Sequence, residues 1–249
     1  ISECIERLKD YAEDSIPVLS ETKELLGVIT AQDVVEAVDD EMGEDYAKLA
    51  GLTDEEDLRE TTKESMKKRL PWLIILLFLG MGVSSVVGAF EAVVAVLPIV
   101  MCFQSLILDM AGNVGTQSLA VTIRVLMDEN LTGKQKLHLV WKEMKVGFVN
   151  GLLLGSLAFV FIGIYIACFK HNAWLHAFLI SGCVGVSLMV AMVISSLVGT
   201  LIPIFFHKIK IDPAVASGPL ITTVNDLVAV VTYYGLAWLF LIQIMQIVS

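Results

Sequence analysis

The chain has 249 residues, of which 56% are hydrophobic and 18% charged, and its mean hydropathy is +0.75. This composition excludes an ordinary soluble globular domain, in which about a quarter of the residues are charged. The charge is also unevenly divided, because residues 1–69 contain 20 acids and nine bases whereas residues 70–249 contain seven acids and eight bases. We therefore expect an acidic, water-exposed segment followed by a membrane-embedded one.

The first 40 residues predict a small β-β-α unit. Two short apolar runs, 16–19 and 25–29, are joined by a polar stretch, as in a hairpin. Thr30 lies three residues before Asp33, which is a helix N-cap signature, and valines follow at helical spacing. Residues 41–69 are charged and are predicted to be mostly helical. Because the chain starts at Ile1 without an initiating Met, we expect it to be a fragment of a longer protein.

Five long apolar segments follow, and each is long enough to cross a bilayer, which takes about 20 helical residues. Pro71 is expected at the start of the first helix, and later prolines are expected to interrupt the others. The predicted fold class is an all-α membrane protein with five transmembrane helices, preceded by a partial α/β unit and a connecting helix. The predicted segments are 71–90, 92–123, 146–169, 173–206 and 213–248, and the later prolines are Pro98, Pro203, Pro213 and Pro219.

Basic residues gather at alternate connections between these segments. Five lie in 124–145, two lie in 207–212, and a basic cluster at 63–69 precedes the first segment, whereas the other connections contain only Lys170. Cytoplasmic loops of membrane proteins are enriched in Lys and Arg. We therefore expect a multi-pass protein of the plasma membrane, with its N-terminus in the cytoplasm and its C-terminus outside.

Three acids lie within or beside the apolar segments: Asp109, Asp226 and Glu91. A charged side chain at the centre of a bilayer costs about 2.5–3.5 kcal/mol on insertion scales. The segments that hold Asp109 and Asp226 contain no Lys or Arg. These two acids therefore require a water-filled path, a bound cation, protonation, or a base from another helix such as Arg124. Glu91 is expected at the outer end of the first span or at the entrance to a path.

Two stretches, 109–118 and 212–226, are unusually polar for membrane segments. Their glycines and Pro219 can open a helix and present backbone carbonyls, or the glycines can make close helix contacts. Carbonyl, Asn, Thr and Asp oxygens suit Mg²⁺ or Ca²⁺ rather than a thiophilic metal. The four cysteines and four histidines are dispersed, without the spacing of a zinc site or of a nucleophile with its base. The sequence therefore does not predict an enzyme.

These residues resemble the MgtE family of magnesium channels and transporters. The similarity is carried by 111–118, by 212–219 with Asn225-Asp226, and by Pro71-Trp72 and Phe90-Glu91 at the two ends of the first span. It implies a homodimer in the lipid bilayer, with a path for Mg²⁺ along the two-fold axis. Asp226 would form the central metal site, with Gly112, Asn113, Thr116 and Asn225 lining the pore and with Asp109, Asp212 and Glu91 as further candidate positions.

The resemblance also implies a division into domains and a mode of regulation. Residues 1–40 resemble the end of a second CBS domain, 41–69 its connecting or "plug" helix, and 70–249 the ion-conducting domain. In the full-length protein, cytosolic Mg²⁺ would bind acids near the plug helix and hold the pore closed. Mg²⁺ is thus the expected substrate and regulator, and no nucleic-acid partner is expected. The acids at matching positions are Asp33, Glu36, Glu41, Glu44 and Asp45.

A secondary transporter of divalent metals, coupled to protons or sodium, is the alternative. Protonation or Na⁺ binding would also keep a lone Asp226 or Asp109 in a membrane. Steep pH dependence and saturable, coupled flux would favour this alternative over a channel.

Overall fold

Nearly every element in this computed structural model is a helix. It describes residues 15–53, 59–126, 131–170 and 173–244, except for the side chains of Glu41 and Val96. Short 3₁₀ turns, Pro98–Phe103 and Pro213–Val215, precede the fourth and seventh helices, and a π-helical stretch, Trp238–Ile244, follows the seventh. The labelled elements are β1 (Ser15–Leu19), β2 (Leu25–Thr30), α1 (Ala31–Leu49), α2 (Thr62–Ala89), α3 (Glu91–Val96), α4 (Gln104–Leu126), α5 (Gly133–Phe169), α6 (Trp174–Lys208) and α7 (Gly218–Ala237).

The predicted hairpin and N-cap are both confirmed. Strands β1 and β2 pair antiparallel, with Ser15 opposite Thr30. The Thr30 backbone N–H and hydroxyl each donate to Asp33 Oδ2 at 2.7 Å, and the Asp33 N–H donates back to the Thr30 hydroxyl at 3.3 Å. This capping box satisfies N–H groups that a helix start leaves without a partner. Helix α1 then continues through residue 40, so the predicted domain boundary falls inside one helix.

The described residues include five helices that are long and apolar enough to cross a membrane, as predicted. The prediction that Pro71 begins the first one was wrong, because a capping box between Thr61 and Glu64 starts α2 at Thr62. Pro203 does not interrupt α6 either, since the helix runs unbroken to Lys208. Proline is tolerated inside membrane helices because neighbouring groups satisfy the backbone atoms that it frees.

Helix α6 is the centre of the bundle and has the largest buried share of the five spans. Its contact with α5 is close because glycines line it: a Cβ on Gly155 would lie 2.6 Å from the carbonyl oxygen of Gly185. On another side of α6, Gly199 lies against the backbone of Gly115 on α4. Helix α2 differs, since it buries none of its described side chains within the chain. Small residues thus let the backbones of α4 and α5 pack directly against the backbone of α6.

Candidate cation-binding site

The two polar stretches of the sequence meet where α4 and α7 run antiparallel. Near one end of this contact, the Tyr234 hydroxyl donates to Gln104 Oε1 at 2.5 Å. Further along, Gly112 lies against Thr222 and Gly115 lies against Asn225. Towards the other end, a Cβ on Gly218 would lie 3.6 Å from the Thr116 methyl group. This register brings residues 109–118 alongside the first three turns of α7.

Glycine is required at two points of this contact because the helices approach closely there. A Cβ on Gly112 would lie 3.0 Å from Thr222 Cγ2, and a Cβ on Gly115 would overlap the Asn225 amide. Helix α4 is continuous through both glycines. The sequence left two roles open for these glycines, and in the structure they allow close packing rather than opening the helix. In the second stretch the helix does start at Gly218, after a 3₁₀ turn, with the Ser217 hydroxyl accepting from the Leu220 N–H.

Hydroxyl and amide groups lie together at this contact. The Thr116 hydroxyl donates to the Gly112 carbonyl at 2.9 Å and lies 3.4 Å from the Thr222 hydroxyl. Asn225 is fully buried, and its Oδ1 and Nδ2 atoms have no hydrogen-bond partner among the described residues. Leaving buried polar groups unpaired costs about 1–3 kcal/mol each. A bridging water, or a water of a hydrated ion, would supply the missing bonds.

Asp226 follows Asn225 directly and is half-buried. It forms no hydrogen bond and no ion pair within the described part of the chain. The antiparallel register places Asp109 at the same level of the bundle, although Asp109 is exposed. Within the same described ranges, no group of three or more His, Cys, Asp and Glu side chains could hold a metal ion. These residues of a single chain therefore provide one partly buried carboxylate and neutral oxygen ligands, but not a complete carboxylate cage.

A polar stripe runs along the exposed side of α4. Asp109, Asn113 and Gln117 are spaced four residues apart, which places them on one face of the helix. All three side chains are exposed in the single chain. A carboxylate, an amide and a second amide facing lipid would be costly. This face of α4 therefore requires water or a second protein surface beside it.

The remaining predicted path residues lie towards opposite ends of the bundle. Glu91 is exposed at the start of α3, next to Phe90, whose ring stacks on Tyr234 at 5.6 Å. Asp212 lies at the other end, where its Oδ2 accepts from Lys48 Nζ at 2.8 Å and its Oδ1 accepts from the Ala214 N–H at 2.9 Å. The structure thus does not bring Glu91 or Asp212 to the level of Asp226.

Sequence reasoning missed the contact between the end of α1 and the start of α7. Lys48 and Asp212 are 164 positions apart, and no local pattern pairs them. The hydrogen bond to Asp212 raises the pKa of Lys48 above its usual value. Lys48 is therefore fully charged at neutral pH, and its charge is lost only as pH rises through the raised value, above the ordinary lysine pKa of about 10.4.

Glycine and proline complete this contact. Gly51 has a φ of +83°, in the left-handed region where glycine is favoured, and it follows α1 directly after Ala50. A Cβ on Gly51 would lie 3.3 Å from Pro219 Cγ and 3.6 Å from Trp72 Cδ1. The end of α1 therefore lies over the first turn of α7, five or more residues before Asp226 along that helix.

The five acids that match the regulatory positions all lie on α1. Asp33 is the capping residue, and its hydrogen bonds with the Thr30 N–H and hydroxyl lower its carboxyl pKa. Glu44 accepts from Lys48 Nζ at 3.4 Å, while Glu36 is exposed. Asp45 is half-buried, and the side chain of Glu41 lies outside the described part of the chain.

Comparisons with known proteins agree on one protein family. A family model described as "Divalent cation transporter", MgtE, matches residues 104–236. The chain is 37% identical over 234 residues to the magnesium transporter MgtE of Enterococcus faecalis, covering 94% of this chain and 49% of that protein. It is 38% identical over 229 residues to the magnesium transporter MgtE of Bacillus subtilis, covering 91% of this chain and 48% of that protein.

A third relative comes from Thermus thermophilus. The chain is 32% identical over 238 residues to the magnesium transporter MgtE of that organism, covering 94% of this chain and 50% of that protein. The chain thus spans about half the length of the curated relatives that it matches. All three relatives are named as transporters rather than enzymes.

Proposed function

The chain belongs to the MgtE family of divalent cation transporters, and on that premise we propose that it carries Mg²⁺ across a membrane, through a path that two copies form between them. The observation that carries this proposal is the contact between α4 and α7. It brings a half-buried carboxylate, an unpaired buried amide and two hydroxyl groups together inside membrane-spanning helices. These are the oxygen ligands that suit a hard divalent cation.

The central site would consist of Asp226 from each of two copies. Two carboxylates that face each other repel, and a divalent cation between them removes that repulsion. Mg²⁺ dehydrates reluctantly and usually keeps several of its waters. Asn225, Thr116 and the Gly112 carbonyl would therefore bind the ion through those waters. Such binding is weak enough for the ion to leave the site, as conduction requires.

Two features support a homodimer. The polar stripe of Asp109, Asn113 and Gln117 is exposed on α4, and within a membrane it needs water or protein beside it. Helix α2 buries none of its described side chains within one chain, which leaves its surface available to a partner as well as to lipid. In the proposed dimer the stripe lines the water-filled side of the path, and Asp109 stands at the level of Asp226.

Cross-linking tests this arrangement. In a background without the native cysteines, Asn113→Cys should give a disulfide-linked dimer in the membrane, because the stripe faces its symmetry mate. Leu153→Cys is the matched control, since Leu153 is also exposed but lies on α5. Dimer bands on a non-reducing gel are the measurement. Equal cross-linking of both variants, or of Leu153→Cys alone, would contradict the proposed interface.

The proposal includes an orientation and a regulatory element. The connections rich in Lys and Arg would lie in the cytoplasm, together with α1, and the C-terminus would lie outside. The end of α1 rests on the first turn of α7, held by the Lys48–Asp212 pair. It would therefore obstruct the cytoplasmic end of the path. Mg²⁺ bound among the acids of α1 would neutralise their repulsion and favour this closed arrangement in the full-length protein.

Among the candidate regulatory acids, the geometry favours Glu36 over Asp33 and Glu44. Asp33 is already bonded to Thr30 and Glu44 to Lys48, whereas Glu36 is exposed. Glu36 would thus bind Mg²⁺ without breaking an existing contact. Asp45, also on α1, would add to the proposed acidic surface, and Glu41 stays a candidate from the sequence alone.

Loosening the end of α1 should raise uptake. Both partners of the Lys48–Asp212 pair are about a third exposed, so solvent screens it and it contributes roughly 0.2–1 kcal/mol. We expect Lys48→Gln to increase the initial rate of Mg²⁺ uptake into liposomes by up to about fivefold. Lys63→Gln, at an exposed position on α2, should leave the rate unchanged. An unchanged or lower rate for Lys48→Gln would contradict an obstructing role for α1.

Mg²⁺ uptake into liposomes that carry the purified chain tests the transport proposal itself. The critical comparison is between the parent chain and variants at Asp226. If the rate depends steeply on a proton or sodium gradient, coupled secondary transport replaces the channel. If no Mg²⁺ enters by any route, the proposal of transport by this chain fails.

A further inference from the structure

A cleft outside the proposed ion path lies between the end of α4 and the start of α5. Its volume is about 350 Å³. Three apolar side chains form its floor: Val125, Leu131 and the buried Leu139. Its rim carries Lys134, His138 and Lys142, with Gln135 beside them, and all four rim side chains are exposed.

Helical spacing brings the basic side chains of the rim together. Lys134, His138 and Lys142 are four residues apart, which places them in one row along α5. The acid nearest to them on the same helix, Glu143, points away: it is buried and accepts a hydrogen bond from the Ser118 hydroxyl at 3.1 Å. Two basic side chains thus stand over an apolar floor with no described acid lining the cleft.

Other charges nearby do not cancel this row. Lys145 is exposed one turn beyond Lys142, and Arg124 precedes Val125. Lys136 is directed elsewhere, since its Nζ lies 3.2 Å from His207 Nδ1 on α6. Residues 124–145 contain five bases and three acids, two of which, Asp128 and Glu129, lie outside the described residues. Bases therefore outnumber acids across the whole connection.

The sequence around the cleft indicates that it lies close to the membrane surface. The apolar part of α5 begins at Val146, just after the row of bases. Trp141, between His138 and Lys142, is 57% exposed. Tryptophan is enriched at membrane–water interfaces, where its ring lies among lipid head groups. We therefore expect the end of the cleft near Lys142 to lie beside head groups, within reach of the glycerol and first acyl carbons of a lipid.

We propose that this cleft binds an anionic phospholipid, such as phosphatidylglycerol, with its phosphate between Lys134 and Lys142. His138 and Gln135 would donate further hydrogen bonds to the head group. The glycerol and first acyl carbons would cover Val125, Leu131 and Leu139. A soluble phosphate ester would leave that apolar floor in water, whereas a lipid removes it from water. Basic pockets between membrane helices are known to bind lipid head groups in this way.

Native mass spectrometry of the purified protein in detergent tests the proposal without relying on transport. The parent chain should bind phosphatidylglycerol in preference to phosphatidylcholine. The double variant Lys134→Gln/Lys142→Gln should bind it on the order of 30-fold more weakly, or roughly fivefold per lysine. The pair Lys134→Arg/Lys142→Arg keeps the charge and should retain binding.

The matched control is Lys208→Gln/Lys210→Gln, which removes the same charge at the end of α6 and just after it, outside the cleft. It should bind phosphatidylglycerol as the parent does. An equal loss in both Gln double variants would overturn the proposal in favour of diffuse attraction to the basic face. Competition by glycerol phosphate at concentrations similar to those of the lipid would also overturn it, since a soluble phosphate site would then suffice. Equal binding of phosphatidylcholine would remove the role of the bases.

Discussion

Asp226→Asn and Asp226→Ala should both reduce Mg²⁺ uptake into liposomes by on the order of 10- to 100-fold. Hydrogen bonds to charged groups contribute about 1.5–3 kcal/mol each, and a loss of that size weakens binding by on the order of 10- to 100-fold. Asn keeps the shape and the half-buried position of the side chain but removes the charge that would attract the cation. Initial uptake rates at equal protein-to-lipid ratio, with folding and dimer formation checked by size exclusion, are the measurement.

Two further carboxylate variants make the result specific. Asp39→Asn removes the same charge from an exposed position on α1 and should leave uptake close to that of the parent. Asp109→Asn should reduce uptake less than Asp226→Asn, because Asp109 stands at the same level but is exposed rather than half-buried. Normal uptake in both Asp226 variants would show that this acid is structural or peripheral. The ion site would then be sought at Asp109 and Glu91.

Gly199→Ala should destabilise the protein and also reduce uptake. A Cβ at position 199 would collide with the carbonyl oxygen of Gly115, and it would lie 3.0 Å from the carbonyl carbon. These are backbone atoms, so no side-chain rotation relieves the overlap, and α4 must move away from α6. Overpacking of this kind costs about 1–3 kcal/mol. The free energy of unfolding in detergent, together with the uptake rate, measures the effect.

The same substitution on α2 is the matched control. A Cβ on Gly82 would have no atom within 4 Å in the chain. Gly82→Ala should therefore be neutral, or should stabilise the helix by up to about 1 kcal/mol through the better helix propensity of alanine. If Gly199→Ala were as stable and as active as Gly82→Ala, the close contact between α4 and α6 would not be needed to hold α4 in place.

Much of the architecture could be predicted from the sequence because it depends on local properties. Five spans follow from the length and composition of five apolar segments, and the hairpin and the capping box between Thr30 and Asp33 follow from short-range patterns. The prediction that Pro71 begins the first membrane helix was wrong for a local reason as well. A capping box between Thr61 and Glu64, upstream of the apolar run, begins the helix before the proline.

Part of the candidate site could also be predicted from the sequence. Asp226, Asn113, Thr116 and Asn225 could be named from the sequence, because a polar group in an apolar segment is conspicuous wherever the helix packs. Their role in binding Mg²⁺ stays a prediction. Thr222 could have been named as well, since its hydroxyl stands one turn before Asp226 on the same helix.

Only the tertiary structure decided what the glycines do and which distant residues meet. Gly112 and Gly115 could open α4 or pack it against another helix, and the choice involves Thr222 and Asn225, more than 100 positions later. Those side chains occupy the space that a Cβ would fill, and α4 is continuous through both glycines. The pairing of Lys48 with Asp212 depends likewise on how the bundle places α1 against α7. Composition and periodicity report on single helices, whereas these contacts arise between helices, where packing fixes the distances.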